Sequence, residues 1–238
     1  MLDSSYESQT EEIGVQPSTA RQIRERVLKW GEENYRPFPW RESNQGWHGL
    51  IAELLLQRTR VSSVVVVYNR FVRRFPTPAH LGQSSLEDIK NVIYPLGLAW
   101  RAPLLKKLGQ KLDDLDGQIP LTLDELTDLP GVGSYVASAW LSFHANTNST
   151  IIDANVVRWL CRMVDRPYDG ETRRKKWLVK FAEILTPEKR NRDYNFAVLD
   201  FTMQICTKKP TCSMCPIGVG FCTHGRNMLT CNKGETKG

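Results

Sequence analysis

Four cysteines fall within seventeen residues, Cys206, Cys212, Cys215 and Cys222, spaced C-x5-C-x2-C-x6-C with Lys208, Lys209 and Pro210 between the first two. Thiolates this close in sequence can converge on one metal centre without a large fold to assemble them. Two centres accept four thiolates: a tetrahedral zinc ion, or a [4Fe–4S] cluster with one cysteine per iron. Zinc modules usually present two close pairs. Here one C-x2-C pair is flanked by single cysteines, which suits the cubane better. A disulfide framework belongs to short secreted chains; this one has 238 residues and opens on a polar, acidic segment instead of an apolar one.

A second constellation lies upstream, at Leu129-Pro130-Gly131-Val132-Gly133-Ser134-Tyr135. Two glycines around one apolar residue let the backbone turn tightly and approach a partner closely. A helix opening near Ser134 would aim free N–H groups outward with its positive end behind them, an arrangement that holds a phosphate without reading a base. The same string also serves as a plain interhelical turn. Twenty-two residues beyond Gly131 stands Asp153, in Ile151-Ile152-Asp153-Ala154-Asn155-Val156-Val157-Arg158. Spacing alone favours an N-cap for it, although a carboxylate there could also stabilise a developing positive charge or orient a water.

The elements that would carry these residues read as helices throughout. Ile23, Val27 and Trp30 form an apolar stripe after Pro17, and Trp47–Gln57 is apolar enough for a buried helix. Residues 62–74 contain four consecutive valines, a strand-like composition. Val64, Tyr68, Phe71 and Val72 nevertheless share a helical face, so a helix is expected. Ser84-Ser85-Leu86-Glu87 resembles a capping box, with Gly97 beyond the helix it opens. Further helices are expected at 100–114, 122–128, 134–145, 154–164, 172–185 and 194–205, punctuated by Pro120, Pro130 and Pro187. No period-2 alternation persists, so the fold class is all-α. Residues 1–17 read as a disordered tail. The four histidines show no metal-ligand spacing and receive no role; Trp47, Trp100, Trp140, Trp159 and Trp177 are expected in the core or between domains.

The length allows one domain or two small ones, and the hydrophobic share of 41% is ordinary for a globular protein. No apolar run approaches the roughly 20 residues that span a bilayer. Lysine and arginine exceed aspartate and glutamate by 32 to 26. The excess is concentrated: residues 172–211 hold ten bases against four acids, beside the cysteines, whereas residues 1–13 hold four acids and no base. A pI near 9.0 with such clustering points to a polyanion such as nucleic acid.

The hairpin string, the I-D-A-N-V-x-R string and the cysteine cluster, in that order, resemble the helix-hairpin-helix (HhH-GPD) base-excision DNA glycosylases with a [4Fe–4S] loop, of the endonuclease III and adenine DNA glycosylase type. Phe38-Pro39-Trp40-Arg41 and Glu53-Leu54-Leu55-Leu56-Gln57-Arg58-Thr59-Arg60 are also similar to that family, so the likeness runs from Phe38 to Cys222. It implies two helical domains with the active site in the cleft between them. One is a six-helix barrel domain, 37–148, carrying the hairpin. The other, 18–36 with 149–229, carries the [4Fe–4S] cluster on Cys206, Cys212, Cys215 and Cys222, and 230–238 is a tail. It further implies double-stranded DNA containing a mismatched or modified base as partner, one nucleotide flipped into the active site, and an intracellular, nucleoid-associated monomer without membrane attachment.

By the same resemblance Asp153 is the catalytic carboxylate, supporting an oxocarbenium-like sugar and the attacking water. Gln57 and Arg58 fill the hole left by the flipped base. Leu129, Gly131, Val132, Gly133 and Ser134 hold the DNA backbone, and Lys208 and Lys209 touch it beside the cluster. Bifunctional members carry a Schiff-base lysine where this chain has Tyr135; a phenol forms no imine, so base removal with little or no strand cleavage is expected. Tyrosine at position 135 is similar to some adenine glycosylases and to the thymine–guanine mismatch glycosylases, whereas Asp153-Ala154-Asn155 and the few residues following the cluster resemble the mismatch type. Glu53 resembles the glutamate that protonates a departing adenine, so an adenine glycosylase acting opposite guanine or 8-oxoguanine is the alternative. Removal of a modified base and a non-catalytic DNA-binding module are further ones. The cluster spacing departs from the family's C-x6-C-x2-C-x5-C by one residue moved across the central pair.

Overall fold

A computed structural model describes residues 15–43, 46–218 and 220–231, and among them every regular element is helical. The helices are α1 (Pro17–Glu33), α2 (Pro39–Glu42), α3 (Gly46–Leu56), α4 (Val61–Arg74), α5 (Pro78–Gln83), α6 (Leu86–Ile93) and α7 (Ala102–Asp113), then α8 (Leu123–Thr127), α9 (Ser134–His144), α10 (Ala154–Met163), α11 (Lys176–Leu185), α12 (Asn191–Gln204) and α13 (Thr223–Cys231). Two compact units result. One comprises Pro37–Thr147; the other joins the residues up to Arg36 with those from Asn148 onward.

In the Pro37–Thr147 unit, α3 and α9 are largely apolar and supply much of the buried centre. Leu50, Ile51, Leu54 and Leu55 of α3, and Val136, Ala137, Trp140 and Leu141 of α9, belong to one core. The polar edges of the aromatic residues are satisfied at the same time: Trp140 Nε1 donates to Gly46 O at 2.8 Å and Trp47 Nε1 to Phe75 O at 3.1 Å. The valine run is helical because amphipathic burial outweighs β-propensity: α4 buries Val64, Val67, Tyr68 and Phe71 and leaves Val66 in solvent. Ser85 caps α6, its hydroxyl accepting from Asp88 N at 3.1 Å, and Gly97 takes the left-handed φ of 69° beyond it.

In the other unit Ile23 and Val27 of α1, Val157 and Leu160 of α10, Phe181 of α11 and Phe201 of α12 form a second core. Trp30 meets Phe201 edge-on at 5.9 Å. Cys161 sits in this core with no exposure, and burial pushes its thiol up to about 11. Of the expected tail, residues 1–14 lie outside the described residues. Val15 is buried and Pro17 already opens α1, because an apolar side chain that finds the core is held there. Residues 232–238, of the expected carboxy-terminal tail, also lie outside. The short α5 and the terminal α13 are additions to the sequence reading. Helix α12 starts one turn earlier than its apolar pattern, after Arg190 at φ 61° pairs with Asp193 and Glu32. Among the described residues no helix is long and apolar enough to cross a membrane.

Candidate functional site

The hairpin residues take two distinct roles. Leu129 and Val132 are buried in the core, and their N–H groups already donate to Leu126 O and Leu129 O, each at 3.1 Å, so these two residues shape the turn and offer no free donor. Gly131 holds φ 84°, and a Cβ on it would stand 2.7 Å from Leu104 Cδ2. A side chain is therefore opposed by both backbone strain and space. Gly133 and Ser134 are exposed, with nothing within 4 Å of the Cβ position of Gly133. Gly133 caps α9 without a side-chain acceptor, so the first N–H groups of that helix are left to solvent or an anion, with the positive dipole end behind them. Tyr135, one residue into α9, is half-buried against the core.

Gln57 and Arg58 leave the end of α3 on the same unit. Arg58 is exposed and adopts φ 62°, a left-handed conformation uncommon for a long side chain. Gln57 lines a small cleft together with Arg101, Leu104, Pro130 and Gly131, which places this turn next to the hairpin. Arg101 is nearly buried and donates to Leu54 O at 2.8 Å; burial and the charge of Arg58 lower its pKa. Its guanidinium lies 5.0 Å over the ring of Trp100. That ring is 67% exposed, contrary to the expected burial, because it belongs to a one-turn 3-10 segment ahead of α7 and not to a packed helix face.

Glu53 is buried on α3, with Oε1 3.8 Å from Nε2 of His144, itself buried at the end of α9. A histidine within an apolar helix end carries no spacing signal, which is why the sequence leaves His144 without a role.

Asp153 belongs to the second unit and caps α10. Its Oδ1 accepts from Asn155 N at 2.8 Å and Val156 N at 2.7 Å, and its Oδ2 accepts from Asn155 Nδ2 at 2.7 Å. Three donors and the helix dipole fix a half-buried carboxylate in one orientation. Further along α10, Arg158 Nε and Nη2 donate to Cys206 O and Thr202 O, both at 2.9 Å. Arg162, one turn on, donates from Nη1 to Thr207 O at 2.6 Å and from Nη2 to Lys208 O at 3.0 Å. The i, i+4 spacing of these arginines was visible in the sequence; their targets were not. The grip holds the loop backbone while Lys208 and Lys209 extend into solvent.

The four cysteines line one cavity with Trp159, Phe201 and Ile217 among its apolar walls. All four carry free thiols. Burial first, and the sulfur of Cys206 second, raise the thiol of Cys212. Burial likewise raises Cys215 and pushes Cys222 up to about 11. Such thiols ionise only against nearby cationic charge, which metal supplies. Hydrogen-bond donors already reach the sulfurs: Arg162 Nη1 to Cys206 Sγ and Gly225 N to Cys222 Sγ, each at 3.4 Å. Among the described residues no three His, Cys, Asp or Glu side chains converge as ligands of a single ion. Four thiols lining one cavity are a donor set that suits a thiolate-held metal centre.

The thymine/uracil-DNA glycosylase of Pyrobaculum aerophilum is 40% identical over 212 residues, covering 84% of this chain and 90% of its own. The adenine DNA glycosylase of Rattus norvegicus is 31% identical over 82% of this chain, which spans 40% of that protein. Among solved structures, a thermostable thymine-DNA glycosylase superposes with a TM-score of 0.82 at 29% identity, covering 88% of this chain and 98% of its own. Residues 51–208, from the middle of α3 to the cysteine loop, match the HhH-GPD family, and the chain belongs to the HhH-GPD superfamily of base excision DNA repair proteins.

Proposed function

We propose that this protein is a monofunctional DNA glycosylase that binds duplex DNA, accepts a flipped thymine or uracil mispaired with guanine, and hydrolyses its N-glycosidic bond. The observation that carries the reading is Asp153, a carboxylate fixed by three hydrogen bonds at the start of α10. As the bond between C1′ and the base breaks, the base leaves as its N1 anion and the sugar gains oxocarbenium character. Asp153 stabilises that positive charge and orients the water that attacks C1′, whose released proton completes the neutral base and an abasic sugar. Tyr135 offers no amine, so no imine forms with it and little or no strand cleavage follows. Gly133 and Ser134 present backbone N–H groups to a phosphate, Gln57 and Arg58 occupy the gap in the stack, and Lys208 and Lys209 neutralise backbone charge. Glu53 assists at the reacting nucleotide.

Cys206, Cys212, Cys215 and Cys222 would hold a [4Fe–4S] cluster, which braces the basic loop when bound. Iron and acid-labile sulfide content with visible absorbance test it; a colourless protein containing zinc refutes it. We also place the protein inside the cell, acting as a monomer. Labelled duplexes bearing T·G, U·G, A·G, A·8-oxoguanine and modified cytosines test the substrate assignment. Release from T·G and U·G with strand scission only after alkali is expected. Glu53 and the likeness to an adenine DNA glycosylase favour a second reading, which preferential release from the adenine duplexes would establish.

A further inference from the structure

His144 and Glu53 are two ionisable groups sealed between α3 and α9. Their side chains are 1% and 4% exposed, and Nε2 stands 3.8 Å from Oε1. Neither ring nitrogen of His144 has a hydrogen-bond partner. The neighbouring positions of α3 are apolar, Leu50, Ile51 and Leu54 among them, so the pair lies within a hydrophobic layer. A cut-out admits the ring: a Cβ on Gly49 would stand 2.3 Å from His144 Cγ and Nδ1. Packing alone would favour an apolar pair here, since buried polar groups without partners cost stability and well-packed apolar residues do not. A buried polar group left without a partner calls for a reason beyond packing, a catalytic role among them.

We propose that His144 is a positioning residue for Glu53. With the proton on Nε2, the ring donates toward Oε1 and presents the lone pair of Nδ1 to the space above Gly49. One carboxyl oxygen is thereby held, and the second is presented in a fixed direction to the reacting nucleotide. The 3.8 Å separation closes to hydrogen-bond length when substrate compresses the site, as apo contacts of this kind do. The inference rests on the glycosylase reading and on Glu53 meeting the nucleotide.

Four variants test it: His144→Ala, His144→Gln, Gly49→Ala and Glu53→Gln. Single-turnover excision, duplex Kd and thermal melting are measured for each. His144→Ala lowers the excision rate constant by about 100-fold, the size of a small misplacement at a reacting centre, with duplex Kd unchanged. His144→Gln, whose amide nitrogen reaches about as far as Nε2, restores most of the rate. Gly49→Ala, which displaces the ring, behaves as His144→Ala does. The spectroscopic readout needs no substrate: the ring 15N resonances of His144 in free protein shift in Glu53→Gln. A His144→Ala protein that excises at the wild-type rate overturns the proposal. So does a His144→Gln protein as slow as His144→Ala, or a ring resonance indifferent to Glu53→Gln. Wild-type protein that releases no base from any duplex overturns the glycosylase reading instead, while the 15N response still reports whether the contact exists.

Discussion

Replacing Asp153 by asparagine separates the two jobs that its geometry combines. As a cap, the residue needs one oxygen to accept from Asn155 N and Val156 N, and an asparagine Oδ1 does this as well as a carboxylate. The second oxygen is different: in the variant an NH2 group would face Asn155 Nδ2, which now donates at 2.7 Å. Losing that charge-assisted bond costs about 1.5–3 kcal/mol before Asn155 rotates away, and about 1 kcal/mol afterwards. For a chain of this size a loss of about 1 kcal/mol lowers Tm by roughly 2–4 °C. Catalysis answers to charge instead. Removing a preorganised electrostatic partner of a transition state costs on the order of 10²–10³ in rate, about 2.7–4 kcal/mol, and a neutral amide cannot replace it. Asp153→Asn is therefore expected to melt within a few degrees of wild type, bind a T·G duplex with wild-type affinity, and release base at least 100-fold more slowly in single turnover. Asp153→Ala adds the lost cap, about 0.5–2 kcal/mol further. A fully active Asp153→Asn protein would refute the catalytic assignment and leave the residue as a cap alone. A loss of excision matched by an equal loss of folded protein would refute the separation of roles.

Other expectations follow from the same residues. Tyr135→Lys places an amine where the phenol stands, so borohydride is expected to trap a protein–DNA adduct that the wild type does not form; its absence on an otherwise active variant argues that position 135 does not face the sugar. Lys208→Ala with Lys209→Ala is expected to weaken binding to every duplex alike and to flatten the plot of log K against log salt by about 1.8 in slope, two phosphate contacts at about 0.9 each; an unchanged slope removes these lysines from the interface. Gly131→Ala must hold φ 84° and crowd Leu104, which costs about 1–2 kcal/mol. A drop of several degrees in Tm with weaker duplex binding is expected, and a variant as stable as wild type would show that the turn relaxes.

Much of the helical layout was legible because apolar periodicity and caps act locally. Gly97 and the stripe of α4 read correctly from a few residues each, even against the strand-like composition of four valines, and the start of α6 was placed to within one residue, its cap being Ser85 with Asp88 instead of Ser84 with Glu87. Boundaries set by distant partners were not legible: α12 begins where Arg190 meets Glu32, 158 positions earlier in the chain. The exposure of Trp100 escaped the sequence for a related reason, since an aromatic type suggests burial whereas a short 3-10 turn offers it no packed face.

The sequence by itself determined the residue types that could do chemistry and their order: the four thiols, the two hairpin glycines, Asp153, and a tyrosine in place of an amine. Covalent spacing carries that information, because thiolates on one short loop and a carboxylate ahead of an apolar helix need no distant partner to declare themselves. Only the tertiary structure decided how those groups are held. It turned Asp153 into a carboxylate fixed by three donors, gathered the cysteines around one cavity and tied their loop to α10 through Arg158 and Arg162. It also brought His144, 91 positions from Glu53 in sequence, to within 3.8 Å of it. Burial and orientation come from side chains far apart in the chain meeting in the cores, and no local pattern encodes that meeting.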